Sequence, residues 1–178
     1  MTGTAPKVMQ LHTARLRLRQ PSDRDIASII AIAGDWEVAR RLGRVPHPYK
    51  EADARFFLEK IVPNEPTWAI LWRQTDQHIG MVGLGPSSDS QSAELGYYIG
   101  RNHWGLGIAT EAAGAIVQIA LESFGYCKLT SGYHADNVAS GRVLAKLGFA
   151  VVGTSSRPCL AEGRAKASVE VELTLRSQ

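Results

Sequence analysis

Leu16 and Leu18 alternate with Arg15, Arg17 and Arg19, with Ala14 ahead of them. A period of two with one charged side predicts a half-buried strand. Pro21-Ser22-Asp23 stops it. Ser22 suits an N-cap, and Asp23 and Asp25 suit the positive end of a helix. Ile26, Ile29, Ile30 and Ala33 then recur at helical spacing. A second short helix is expected from Asp35 to Leu42. Val45-Pro46-His47-Pro48-Tyr49 reads as loop, because each proline lacks a donor and disfavours helix before it. Phe57, Leu58 and Ile61 share one face of a helix starting near Lys50.

Past Pro66 the period shortens. Trp68 to Trp72 and Ile79 to Leu84 read as strands joined by a turn at Thr75-Asp76-Gln77. A polar loop from Pro86 to Ser92 leads to a third strand, Ala93 to Ile99. Between Gly107 and Phe124 the spacing is helical again, with Ala109, Ala112, Ala113, Ile116, Val117, Ala120 and Phe124 on one face. Leu129 to Tyr133 is a strand, and Val138 to Leu147 a helix closed by Gly148. Phe149 to Thr154 and Val169 to Leu175 are the final strands. The order predicts an α+β fold: a single mixed, mostly antiparallel twisted sheet of six to seven strands, flanked by about four to five helices.

Composition narrows the class. The 178 residues match one domain, 1–178. Charged residues are 21%, near the ordinary globular share, which excludes a disordered polyelectrolyte. The net charge of +3 comes from mixed signs with no basic stripe, so nucleic acid is not an expected partner. Cys127 and Cys159 make no disulfide framework, and a reducing cytoplasm is the expected setting. Residues 1–10 lack the apolar core of a signal peptide. The most apolar run, Ala112 to Leu121, is far short of the ~20 residues of a membrane span. No His/Cys/Asp cluster has metal spacing, and no metal is expected.

The most informative stretch is Tyr97-Tyr98-Ile99-Gly100-Arg101-Asn102-His103-Trp104-Gly105-Leu106-Gly107-Ile108-Ala109-Thr110-Glu111-Ala112. A strand enters a glycine-punctuated turn and a helix leaves it. The first-turn amides of a helix have no internal partner, and the helix dipole makes them an anion site. Gly105 and Gly107 let a phosphate approach the main chain. No Gly-Lys-Ser/Thr triplet follows, so this is no Walker A loop. The dinucleotide fingerprint is incomplete, with Thr110 at its last position.

Trp104-Gly105-Leu106-Gly107-Ile108-Ala109-Thr110-Glu111-Ala112 resembles the acetyl-CoA-binding motif of the GNAT N-acetyltransferase superfamily, and more narrowly the branch of the ribosomal-protein N-terminal acetyltransferases. Arg15-Leu16-Arg17-Leu18-Arg19 followed by Asp25 is similar to that branch's opening strand and helix. Glu94-Leu95-Gly96-Tyr97 and Asn137-Val138-Ala139-Ser140, running on to Phe149, are similar to its later motifs. The resemblance extends over Leu11 to Val152. It implies a GNAT fold and transfer of an acetyl group from acetyl-CoA to a primary amine, at a protein N-terminus or on a small molecule. The transfer would be direct, in a ternary complex, by a monomer or homodimer. A CoA-binding regulatory module without chemistry is the alternative.

The resemblance also assigns parts. Main-chain N–H groups of Trp104, Gly105, Leu106, Gly107, Ile108 and Ala109 would hold the pyrophosphate, and Thr110 could add a hydroxyl. A backbone N–H near Tyr98 or Ile99 would meet the oxyanion. Glu94, in an otherwise apolar strand that leads to the phosphate turn, is the expected base, and partial burial would suit it to take a proton. Many members protonate the leaving thiolate with a tyrosine at the position of Leu144. Here the Asn-x-x-Ser pattern points to Asn137 and Ser140, with Ser140 as the acid. Arg101, Arg142 and Lys146 could reach phosphates. Asn102 departs from the family's Gln or Arg. Residues 164–175 lack the Asp and the aromatic that relatives carry, so the acceptor does not transfer from the ribosomal-protein enzymes.

Overall fold

The leucine alternation near the start of the chain sets the first strands. Leu16 and Leu18 are fully buried on one side, and Arg17 and Arg19 stand on the other. The computed structural model describes residues 8–175. Among them are eight strands: β1 (Leu11–His12), β2 (Leu16–Arg19), β3 (Thr67–Trp72), β4 (His78–Pro86), β5 (Ser92–Ile99), β6 (Lys128–His134), β7 (Ala150–Cys159) and β8 (Arg164–Thr174). They form one sheet in the order β1-β2-β3-β4-β5-β6-β8-β7. Only the β5–β6 pair is parallel.

The helices are α1 (Ile26–Ala33), α2 (Trp36–Ala39), α3 (Glu51–Phe56, running on as a wider π turn over Phe57–Ile61), α4 (Ile108–Phe124) and α5 (Val138–Lys146). The predicted apolar stripe of α4 is the main seam: Ile108, Ala112, Ala113, Ile116 and Ala120 pack on Leu16, Trp68, Ile70, Leu84, Leu95 and Leu129. Leu144 of α5 joins the same layer. On the opposite face Ala69, Leu71 and Met81 meet Phe57 and Tyr98, and α1 packs on α3 and β4.

The sheet has one strand more than the upper end of the predicted range. The extra strand, β1, is only two residues long, too short to show a period. The last two strands are also longer than their apolar pattern. β7 reaches Cys159 and β8 starts at Arg164, so the polar run Ser155-Ser156-Arg157-Pro158 is strand. β7 is an edge strand, where exposed polar residues and a proline are tolerated. The helix expected from Asp35 to Leu42 is one turn, Trp36–Ala39.

A buried ion pair pins α1 to the sheet. Arg19 Nη1 and Nη2 each donate to Asp25 at 2.7 Å, and the Ser22 amide donates to the same carboxylate at 2.9 Å. Their side chains are 10% and 4% exposed. Burial alone would raise the Asp25 carboxyl; the Arg19 guanidinium and the Ser22 amide outweigh it and hold the carboxyl below its usual range. Asp25→Asn leaves a buried guanidinium without its counter-ion and should cost about 3–5 kcal/mol. Because the folded value is depressed, this contribution is complete above the unfolded carboxyl value of about 4 and is lost as pH falls through the folded one. Thermal melts should therefore show a wide gap in Tm between wild type and D25N at pH 7 that narrows below about pH 4. A gap of constant width down to pH 3 would contradict this account.

Candidate active site

The sheet opens in its middle. β5 and β6 pair at three positions, Ser92 with Lys128, Ala93 with Leu129 and Glu94 with Thr130. Beyond Glu94, β5 stays on β4 and β6 stays on β8, so the two strands part. At the fork the buried Ser131 hydroxyl donates to the Leu95 carbonyl at 2.8 Å, in place of a ladder bond. Alternation along β5 then turns the main-chain groups of Leu95, Tyr97 and Ile99 toward the gap. Those of Tyr98 turn toward β4, where its carbonyl lies against Gly80. Of Tyr98 and Ile99, only Ile99 presents its amide to the gap.

At the far end of β5 lies the glycine turn. Gly105 and Gly107 have φ of 76° and 75°, the left-handed region that glycine adopts without strain. The first main-chain bond of α4 runs from the Glu111 amide to the Gly107 carbonyl, at 3.1 Å. Among the described residues no amide from Gly105 to Thr110 donates to a protein acceptor. Trp104 departs from this run. Its amide donates to Arg101 O at 3.2 Å and its indole Nε1 to Ile99 O at 2.8 Å, so it braces the turn.

One carbonyl of the loop, that of Leu106, is bound by a side chain. Arg15 Nη1 donates to Leu106 O at 2.9 Å, and Arg15 Nε donates to Glu111 Oε2 at 2.7 Å. Glu111 Oε1 accepts from the Arg15 amide at 2.8 Å and from the Thr13 hydroxyl at 2.5 Å. Burial would raise the Glu111 carboxyl, but the Thr13 hydroxyl and Arg15 outweigh it and hold the carboxyl below its usual range. The link between β1 and β2 thus fastens the outer side of the loop while its amides stay free.

Asn137 caps α5, its Oδ1 accepting from the Ser140 amide at 3.4 Å. Ser140 Oγ lies 2.9 Å from the Tyr97 hydroxyl, which reaches across from β5. Gly141 lets α5 approach Tyr133 of β6, whose ring carbon would lie 2.7 Å from any Cβ there. Leu144 is buried in the core. Lys146 is exposed in the last turn of α5, about 9 Å along the axis from Ser140. Arg142 is exposed on the same helix. Arg101 and His103 line a separate cleft of about 630 Å³ with Arg17, Arg24 and His78.

Glu94 faces the other side of the sheet. Its Oε1 accepts from Arg157 Nη1 at 2.6 Å, and its side chain is 39% exposed. The remaining arms of Arg157, Nε and Nη2, fork onto Glu170 at 2.7 and 2.6 Å. Glu170 first, then Glu94, raises the Arg157 guanidinium above its usual value, so it stays charged. A Cβ on Gly132 would collide with that guanidinium, so glycine gives it a flat bed on β6. A second fork, Arg44 on Glu65 at 3.0 Å, lies over Gly85, the strand partner of Glu94. Glu94 and Ser140 therefore stand on opposite faces of one gap. The sequence pattern assigned Arg157 no role and Tyr97 only a place in a motif: one is a charge on an exposed strand, the other an ordinary strand aromatic.

The chain resembles known proteins in sequence and in fold. The family model described as "Acetyltransferase (GNAT) domain" matches residues 15–150. The chain belongs to the GNAT acetyltransferase family. The uncharacterized N-acetyltransferase YoaA of Bacillus subtilis (strain 168) is 32% identical over 147 residues, covering 78% of this chain and 81% of that one. Two solved structures share the GNAT fold at low identity. The ribosomal-protein-S5-alanine acetyltransferase of Vibrio fischeri has a TM-score of 0.80 at 15% identity, over 94% of this chain and 97% of that one. The spermidine N-acetyltransferase of Vibrio cholerae, in complex with CoA and spermine, has a TM-score of 0.77 at 17% identity, over 91% and 96%. GNAT enzymes use acetyl-CoA. Among the described residues no helix is long and apolar enough to cross a membrane, and no group of three or more His, Cys, Asp or Glu is placed to hold a metal.

The GNAT loop fits a pyrophosphate on its own chemistry: a run of unpaired amides at a helix N-terminus is a donor set for an anion. A Cβ on Gly105 would meet nothing within 4 Å, so Gly105→Ala changes only the backbone preference, by about 1–2 kcal/mol. Titration calorimetry should show CoA affinity falling about tenfold in G105A, with a Tm within a few degrees of wild type. An unchanged Kd would remove the loop from the binding site.

Proposed function

We propose that the chain is an acetyl-CoA-dependent N-acetyltransferase that passes the acetyl group directly to a primary amine in a ternary complex. The amine is a protein N-terminus or a small molecule. The observation that carries this reading is the run of unpaired amides from Gly105 to Thr110 beside the gap between β5 and β6. Those amides would hold the pyrophosphate of the donor, with the Thr110 hydroxyl beside them, and the main-chain groups that β5 leaves free would receive its pantetheine arm. When bound, the thioester supplies an activated acetyl carbon. Asn137 holds the start of α5 in place, and Lys146 serves the outer phosphate region.

The residues divide the chemistry between the faces. Glu94 takes a proton from the acceptor ammonium, directly or through water. Its Oε2 is the oxygen for this, since Oε1 is held by Arg157. Main-chain amides of β5 near Ile99 stabilise the developing oxyanion. Ser140 donates to the leaving sulfur from the other face. The two free cysteines, Cys127 exposed and Cys159 buried, suit a cytoplasmic protein, acting as monomer or homodimer. The guanidinium on Glu94 favours one second reading: a module that binds acetyl-CoA without transfer.

The test is release of CoA thiol across a broad panel of amines, with products identified by mass spectrometry. Wild type should turn over. Glu94→Gln should lower kcat by about 10²–10³-fold and leave the Kd for acetyl-CoA within about twofold. Tight binding with no thiol release from any amine would establish the binding module instead.

A further inference from the structure

Tyr97 has a role that the glycine turn and the Asn-x-x-Ser pattern do not supply. Its ring stands on β5 at the parted edge and is largely enclosed by the sheet and α5. Its hydroxyl lies 2.9 Å from Ser140 Oγ and 3.3 Å from Ser140 O. Burial pushes the phenol up to about 12, so it carries its hydrogen throughout the neutral range. Leu144, one turn further along α5, is buried and has no hydrogen to give.

A serine in the first turn of a helix has several ways to spend its hydroxyl hydrogen, including donation back to a nearby carbonyl. A neighbouring O–H donor removes that freedom. Once Oγ accepts from the phenol, its own hydrogen turns to the strongest acceptor left, and an anionic sulfur in the gap is such an acceptor. Donation through two hydroxyls in series also polarises the second.

We infer that Tyr97 is a positioning residue for thiol departure, its phenol donating to Ser140 Oγ so that the Ser140 hydrogen points into the gap between β5 and β6. This rests on the acetyltransferase reading above. As the acetyl carbon bonds to the amine nitrogen, the carbon–sulfur bond breaks and its electron pair stays on sulfur. The sulfur leaves as thiolate, held by the O–H donor of Ser140, and takes its proton from water. The acceptor nitrogen gives up two protons, one as the ammonium is neutralised and one as the amide forms; each goes to Glu94 and from there to water. Neither hydroxyl ionises.

The test uses the whole chain and two readouts. Tyr97→Phe keeps the buried ring and loses only the hydroxyl; Ser140→Ala loses the second donor. In the first readout CoA alone is bound, and the thiolate is followed by its ultraviolet absorbance against pH. The midpoint for bound CoA should rise by about one unit in Y97F and at least as far in S140A. In the second, kcat for acetyl transfer should fall about tenfold in Y97F, with KM for acetyl-CoA within twofold. The double variant should be no slower than S140A. A Y97F midpoint equal to wild type, or effects of the two substitutions that multiply, would overturn the inference. A wild type that releases no thiol from any amine would instead defeat the acetyltransferase reading, and the CoA titration would still decide the role of Tyr97.

Discussion

The fold turns on one broken pairing. β5 and β6 lie side by side in the middle of the sheet, yet share hydrogen bonds for only three positions. Freed main-chain groups in a sheet interior need other partners. The first is met by Ser131, and the last carbonyl of β5 by the indole of Trp104. Between these two fixed points the edge of β5 is not paired to β6. Beside the gap α4 packs on β2, β4 and β5, with the small residues Ala112, Ala113 and Ala120 on its buried side.

Charge follows the same geometry. On the α4 side the donors are main-chain amides, and Arg15, itself held by Glu111, binds the Leu106 carbonyl of the loop. On the opposite side the charges are side chains in forks, each guanidinium fixed from behind by a carboxylate and bedded on a glycine. One face of the gap is thus built from backbone geometry, and the other from side chains that a single substitution can change.

Much of this was readable in the chain. The period-two leucines, the α4 stripe and the glycine turn located an opening strand, the main helix and the loop of unpaired amides, because each is a local pattern with a local cause. What stayed hidden depends on contacts between distant residues. β1 exists only because it pairs with β2. The outer half of the β7–β8 hairpin carries strand geometry on a polar sequence, since its edge position leaves little to bury. Arg157 is 63 residues from Glu94, and Tyr97 is 43 from Ser140. The reading of Glu94 as a lone carboxylate in an apolar strand missed the guanidinium across the sheet, and the assignment of Trp104 as an amide donor missed that its amide is used within the turn.

Arg157 sits on the outermost strand of the sheet. That strand is exposed along most of its length, so a side chain there can be exchanged at little cost to the core. The guanidinium that meets Glu94 is therefore carried by the part of the sheet most open to change, while the loop after β5 takes its shape from two left-handed glycines.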